Sequence, residues 1–328
     1  MKIIVTGGAG FIGSNLVDEL VRLKHKVIVI DNFATGQIKN LKKNFRKIQI
    51  FKIDISKTKS ITRLNSIFKN IECVYHLAGL ADIVPSIENP SRYFEVNVTG
   101  TLNILQSAKL NKVKKFIYAA SASCYGKSPQ FPTDEKCKVS TEYPYALTKN
   151  LGEKLVLHWK KVYNLNSSSF RFFNVYGPRS RTTGAYGAVF GVFLSQRVNN
   201  KPLTIVGDGK QTRDFIHVTD LVSALVLAIK KSKAGEIYNI GSGKETSVNQ
   251  IAKLTGGKKI FIPKRPGEPQ RSLANISKVK KHLKWRPKIT INKGVSMLMQ
   301  DINKWKKAPV WTPEKIKKAT RKWFFYLK

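Results

Sequence analysis

The chain predicts an α/β protein, a doubly wound parallel sheet followed by a smaller C-terminal α+β lobe, and three observations carry that expectation. Residues 1–13, MKIIVTGGAGFIG, pass from an apolar segment straight into a glycine-rich loop. Short apolar segments then alternate with stretches of helical periodicity over about the first 175 residues, the pattern of parallel strands joined by crossover helices. From Tyr176 onward Gly and Pro become frequent, and the segments grow shorter and mixed.

Ile3, Ile4, Val5 and Thr6 have the composition of a short buried parallel strand. Gly7, Gly8, Gly10 and Gly13 follow, and from Phe11 the apolar positions Ile12, Leu16, Val17, Leu20, Val21 and Leu23 recur at helical spacing, so the loop opens a helix. In that order one glycine allows a tight turn, one lets backbone approach a pyrophosphate and one lets the helix pack closely on the strand. The N–H groups at the helix start then face phosphates. A second strand over 27–30 ends in Asp31, 18 residues beyond Gly13. A carboxylate there accepts hydrogen bonds from both ribose hydroxyls and repels a 2′-phosphate, which favours NAD over NADP. The competing reading is a glycine-rich turn with an unrelated surface aspartate; the matched order of strand, loop, helix and strand tells against it.

A loop over 32–37 and a basic segment lead to a third strand over 48–53, ending in Asp54 and Ile55. Asp54 either hydrogen-bonds an adenine amino group or caps the helix beginning near Lys57, and the two roles are compatible. The fourth strand, 72–77, closes in Ala78 and Gly79, small residues past which a cofactor backbone fits; His76 inside it reads as a core histidine. A helix over 90–110 carries Asn97, a fifth strand over 115–120 runs into SASCYG, a helix spans 143–163, and a sixth strand spans 168–173. Ligands of such a sheet collect at the carboxyl ends of its strands, where the glycines, Asp31, Asp54, Gly79, Ser121 and Asn174 all fall. The second lobe is expected to hold strands near 203–206, 215–218, 237–240 and 260–262 and to cover the substrate end of the cleft. Residues 308–328 open with Pro309 and Pro313 and read as an amphipathic helix with Ile316, Ala319, Trp323, Phe324 and Leu327, docked on the body rather than lying on a membrane surface. The expected division is 1–175, 176–307 and 308–328, with the chain free to cross between lobes.

At 328 residues and 42% hydrophobic the chain can bury a large core, and no apolar run approaches the roughly 20 residues that span a bilayer. The first strand begins at the N-terminus, so no signal peptide is expected. Cys73, Cys124 and Cys137 form no CxxC or Cys/His cluster; they read as reduced thiols of a cytoplasmic protein with no metal site. A formal net charge of +39 would concentrate any polyanion around the molecule. The cations are scattered, however, over 39–47, 112–115, 278–284 and 304–321, with no nucleic-acid-binding motif among them, so they read as solvated lysine faces that also steer an anionic substrate. A polyanion-binding protein is the alternative from another functional class.

Tyr145 and Lys149 stand four residues apart on the helix expected over 143–163, so both side chains share one face. A phenol with a pKa of about 10 is a poor base at neutral pH, but a nearby ammonium and an oxidised nicotinamide both stabilise phenolate. Such a tyrosine can take a hydroxyl proton while hydride leaves the same carbon. The spacing alone recurs by chance on many helices; its place one strand–helix step past SASCYG is what gives it meaning.

Together TGGAGFIG, DN at 31–32, DI at 54–55, HLAG at 76–79, SASCYG at 121–126, YPYALTK at 143–149, RFFNVYGPR at 171–179, VGDGKQTRDFIHVTD at 206–220 and RPGE at 265–268 resemble the extended short-chain dehydrogenases/reductases of the nucleotide-sugar epimerase and dehydratase group. The resemblance covers roughly residues 1–300 and implies a Rossmann-type NAD-binding sheet and a UDP-sugar substrate. It implies that Ser121 hydrogen-bonds the sugar O4, that Tyr145 is the acid/base and that Lys149 is the ribose-binding cation. It places NAD against Gly7, Gly10, Phe11, Ile12, Gly13, Asp31, Asn32, Gly36, Asp54, Ile55, Leu77, Ala78, Gly79, Asn97, Tyr145, Lys149 and Phe173. It places substrate against Ser123, Asn174, Ala188, Val189, Thr204, Val206, Arg213, Arg265, Glu268 and Ser272, with the two arginines on phosphate oxygens. It also implies a homodimer paired through the helices over 90–110 and 143–163.

Sugar 4,6-dehydratases resemble this chain but follow the catalytic Thr with Asp-Glu, and decarboxylating relatives keep a Glu at the second of those positions. Here Ala122 and Ser123 stand there, leaving no carboxyl group to abstract a proton at C5. The expectation is therefore 4-epimerisation through a transient 4-keto sugar, with a glucuronate 4-epimerase, a 4,6-dehydratase or a reductase as alternatives. Ser272, seven residues after Arg265, resembles the position where a bulky Tyr restricts the pocket, so its small side chain leans the expectation towards UDP-GlcNAc/GalNAc, with UDP-Glc/Gal beside it. Asn275 stands where relatives usually carry Asp.

Overall fold

Along each strand of the central sheet successive side chains point to opposite faces, and both faces are apolar. Ile3, Val5, Val27, Val29, Cys73 and Tyr75 enter one core layer, while Ile4, Ile28, Ile30 and Val74 enter the other. The computed structural model describes residues 1–180 and 188–327. Its seven-stranded sheet joins β1 (Lys2–Thr6), β2 (Lys26–Asp31), β3 (Ile48–Lys52), β4 (Cys73–His76), β5 (Lys115–Ser121), β6 (Ser167–Phe172) and, across the later chain, β10 (Ile237–Ile240). The spatial order is β10-β6-β5-β4-β1-β2-β3, every neighbouring pair parallel. The helix Phe11–Arg22 and the helix Val218–Lys231 supply Leu16, Val17, Leu20, Leu221 and Leu225 to one layer. Helices Gly100–Leu110 and Pro144–Tyr163 supply Ile104, Leu105, Val156 and Trp159 to the other, so the sheet is covered on both sides.

The second lobe has two small sheets. One orders β11 (Glu245–Ser247), β9 (Thr212–His217) and β7 (Asn174–Tyr176); the other pairs β8 (Leu203–Val206) with β12 (Lys259–Ile262) in parallel. A separate core gathers Tyr176, Phe190, Phe193, Leu203, Ile205, Phe215, Ile251, Trp305 and Ile316.

Two local expectations change. Residues 237–240, expected in the second lobe, form the seventh strand of the central sheet, with Ile237 opposite Ser169 and Ile240 opposite Phe172. Burying Tyr238 and Ile240 beside the helix Ser277–Leu283 satisfies both the apolar pair and the edge of β6, and a four-residue strand carries no local mark of which sheet it joins. The helix expected over 90–110 is divided: Pro90–Phe94 and Gly100–Leu110 are α-helical, and Glu95–Thr99 between them is a π-helical turn centred on Asn97. Among the described residues no helix is long and apolar enough to cross a membrane, and no three His, Cys, Asp or Glu side chains cluster as a metal site.

Candidate active site

The carboxyl ends of the central strands open into one cleft of about 1470 Å³, walled on the far side by the second lobe. Gly7 has φ 69°, and a Cβ there would stand 2.7 Å from the Ala78 nitrogen; one on Gly13 would stand 2.1 Å from the Gly7 oxygen. Glycine thus lets the loop, the Leu77–Ala78 backbone and the start of the first helix pack backbone to backbone, and Gly7, Gly10 and Gly13 line the cleft. Gly10 caps the helix Phe11–Arg22, whose first turn has no acidic residue, so its N–H groups are left to an anionic ligand.

Asp31, 7% exposed, accepts hydrogen bonds from the Ala9 N–H at 2.9 Å and the Phe33 N–H at 2.8 Å. Burial raises its pKa and those two donors oppose the rise. Gly36 sits behind it: a Cβ would come 2.9 Å from Asp31 Oδ2. At the far end Asp54 accepts from the Ser56 N–H and hydroxyl, from Arg92 at 2.9 Å and from Asn32 at 3.3 Å. Burial pushes its carboxyl up, but the hydrogen bonds from Ser56 and Arg92 outweigh it and hold it well below the usual range. Asp54 does not cap the helix that follows, whose N-terminal residues Lys57 and Ser60 carry no side-chain cap hydrogen bond; its carboxylate is taken up by Ser56 and by Arg92 at the cleft wall.

Asn97 does not line the cleft. Buried in its π turn, it accepts from the Leu80 N–H at 2.8 Å and donates to the Leu80 carbonyl and the Thr148 hydroxyl, so it holds the Gly79–Leu80 loop from behind. The neighbouring His76 is likewise structural, bonded at its two ring nitrogens to Thr6 (2.7 Å) and Thr101 (2.9 Å). Burial, with the Lys149 charge adding to it, pushes His76 down to about 3, so it stays neutral at physiological pH. Gly36 and Asn97 are thus positioned to support cleft-lining neighbours, whereas the other expected cofactor residues line the cleft themselves.

The reactive constellation lies where β5 meets the helix Pro144–Tyr163. Pro144 opens that helix and places Tyr145 in its first turn, beside Ser121 at the end of β5. Ser123 donates to the Ser121 hydroxyl at 2.8 Å, and both serine side chains act on the neighbouring Tyr145 phenol. Burial raises the phenol's pKa, and the polar influence of the two serines opposes the rise. Lys149, one turn on and 7% exposed, lies 4.4 Å from the Tyr118 ring centroid; burial pushes it down to about 7, and Glu153 opposes that fall. The helix approaches β5 this closely because residue 152 is glycine: a Cβ there would meet the Tyr118 hydroxyl at 2.2 Å.

At the opposite end Arg213 donates to Glu268 at 2.9 Å, Arg265 lies 3.7 Å from the same carboxylate, and Thr204 is held by Gln196. Phe173, Asn174, Ala188, Val189, Val206 and Ser272 complete that wall. The structure adds cleft residues that the motifs did not single out. Arg179, at φ 65°, reaches back to Asp18 of the first helix at 2.5 Å and lies beside the glycine loop. Tyr143 stacks on Tyr145 at 6.4 Å, and Trp323 of the C-terminal helix Pro313–Tyr326 closes the rim. Arg179 stood within RFFNVYGPR, but only the turn after β7 aims it at the first helix.

The fit for a dinucleotide is direct. A glycine loop packed backbone to backbone, a helix start without an acidic residue and a buried, pinned carboxylate lie along one cleft. A family model described as the NAD dependent epimerase/dehydratase family matches residues 3–241. The chain is 35% identical over 304 residues to a putative UDP-glucose 4-epimerase of Methanocaldococcus jannaschii, covering 90% of this chain and 97% of that one. It is 33% identical over 316 residues to a UDP-N-acetyl-alpha-D-glucosaminuronate decarboxylase of Bacillus cytotoxicus, covering 91% and 97%. Among solved structures, a UDP-glucose 4-epimerase of Thermotoga maritima with UDP-glucose superposes with a TM-score of 0.87 at 33% identity, covering 93% of this chain and 99% of that one.

Proposed function

The chain belongs to the NAD-dependent epimerase/dehydratase family, and from that premise we propose that it epimerises a UDP-hexose or UDP-N-acetylhexosamine at C4 through a transient 4-keto sugar. The observation that carries the reading is the pairing of Tyr145 with Ser121 and Ser123 at the end of β5, with Ala122 and Ser123 in the positions where a dehydratase needs carboxyls.

Gly7, Gly10 and Gly13 with the first helix would hold the cofactor diphosphate, Asp31 an adenosine ribose, and Lys149 the ribose beside the nicotinamide. Bound NAD supplies reversible two-electron oxidation at C4. The Ser121 hydroxyl orients O4, and Tyr145 takes the O4 proton as the carbonyl forms. The cationic form of Lys149 stabilises the phenolate that results. The same phenol returns its proton to O4 when the alcohol is restored, so the sugar leaves with no net redox change. Arg213 and Arg265 would grip the diphosphate through planar guanidinium groups, and the sugar turns between the two faces while they hold it. The small Ser272 side chain supports a pocket wide enough for an N-acetyl group.

The test is proton NMR of the purified protein with UDP-GlcNAc and, separately, UDP-Glc. Galacto-configured product is expected, and Tyr145→Phe should lower turnover by about 10²–10⁴-fold while NAD still binds. A 4-keto-6-deoxy or decarboxylated product would refute the reasoning from Ala122 and Ser123. Salt-sensitive polyanion binding without turnover would favour the other class. A homodimer through the helices around Phe94 and Leu147, both partly exposed, belongs to the same proposal, and light scattering tests it.

A further inference from the structure

The C-terminal helix Pro313–Tyr326 touches both sides of the cleft without belonging to any of the sheets. Its approach is anchored on the second lobe, where the Ser195 hydroxyl donates to the Ala308 and Pro309 carbonyls and Gln196 donates to the Trp311 carbonyl. From there Pro313–Tyr326 runs to the far wall and packs on the short helix Ile83–Glu88. Its buried stripe is narrow: Ile316, Thr320 and Trp323 are at most 4% exposed, whereas Phe325 is 67% exposed. Ile316 belongs to the second-lobe core. Trp323 does not; it reaches the cleft.

Trp323 makes three contacts there. Its Nε1–H donates to the Pro266 carbonyl at 2.8 Å, the Arg265 guanidinium carbon lies 5.6 Å from its ring centroid, and the Tyr143 ring lies at 6.3 Å. Leu327 extends the contact, 3.9 Å from where a Gly267 Cβ would be. One indole thus fixes the backbone of the 265–268 loop, lies against its arginine and abuts the tyrosine stacked on Tyr145. A guanidinium held against an aromatic ring is oriented by the face of that ring as well as by its hydrogen bonds.

We propose that Trp323 is a positioning residue for the substrate diphosphate, acting by holding Arg265 at the cleft, and that the C-terminal helix is the strap that delivers it. The inference rests on the nucleotide-sugar reading above. UDP is the probe, because it carries the diphosphate whichever sugar is the natural one.

Calorimetric titration of the full chain with UDP gives the answer. Trp323→Ala should weaken UDP binding about tenfold, the scale of a desolvated cation–π contact, with NAD affinity within about twofold of the parent. Trp323→Phe, which keeps a ring but loses the donor to Pro266, should lose about threefold or less. Combined with Arg265→Ala, Trp323→Ala should add no more than about twofold to the loss from Arg265→Ala alone, because one residue acts through the other. Unchanged UDP affinity in Trp323→Ala overturns the proposal, as do losses that simply add in the double variant. An equal fall in NAD affinity, seen also in Trp323→Leu, would mark the indole as merely structural and overturn it too. Parent protein that binds NAD but not UDP would overturn the nucleotide-sugar reading and this proposal together, which separates the two failures.

Discussion

Glu153→Gln removes one charge from the most deeply buried ion pair described here and changes little else in volume. Glu153 lies one turn beyond Lys149 on the reactive helix, and Arg171 lies on β6. Arg171 donates through Nε at 3.1 Å and through Nη2 at 2.5 Å, Ser169 adds a hydroxyl at 2.8 Å, and both charged side chains are under 5% exposed. Gln keeps one acceptor but no countercharge for the buried guanidinium, whose other contacts are the Tyr125 ring and a long bond to the Glu135 carbonyl. Breaking such a pair from one side costs about 3–5 kcal/mol. With an unfolding entropy of about 2 cal/mol/K per residue, that corresponds to a fall in Tm of about 4–7 °C. Replacing both partners, Glu153→Leu with Arg171→Met, should recover most of the loss, since the desolvation of both charges disappears with their attraction. Calorimetric melting of the three proteins is the assay. A Glu153→Gln variant within about 1 °C of the parent, or a double variant as unstable as the single, would refute the account of this pair. A second readout follows from the site: Glu153 is the anion that opposes the fall of the Lys149 pKa, so the variant should lower turnover at pH 7–8 further than its stability explains.

Gly152→Ala should cost about 1–3 kcal/mol and reduce turnover, because the new methyl meets the Tyr118 hydroxyl and pushes the reactive helix off β5; adding Tyr118→Phe should relieve part of it, and melting with steady-state kinetics measures both. Asp54 has a depressed folded-state pKa, so its contribution is present above the unfolded value near 4 and is lost as pH falls below it; Asp54→Asn should lower stability at pH 7 by about 1 kcal/mol and flatten the acid side of the urea-midpoint profile. Asp31→Ala should weaken NAD binding about tenfold and narrow the preference against NADP, read by fluorescence titration; an unchanged preference would remove Asp31 from the ribose.

The sequence by itself determined the sheet and the list of reactive groups, because those signals are local. A parallel strand buried on both faces must be an apolar run, a backbone in van der Waals contact with its neighbour must be glycine, and two side chains on one helical face must be four apart. β1 to β6, the loop at 7–13 and the pair Tyr145 and Lys149 were legible for those reasons. What tertiary structure alone decided are relations between distant segments. Ile237–Ile240 joins β6 rather than the second lobe because of the core it completes. Asn97 turns behind the cleft because a π turn and Thr148 claim its amide. Trp323 comes to Arg265, fifty-eight residues earlier in the chain, because Ile316 and the Ala308–Trp311 approach fix the direction of the last helix. Periodicity announces that a helix has a buried face; only packing says what that face meets.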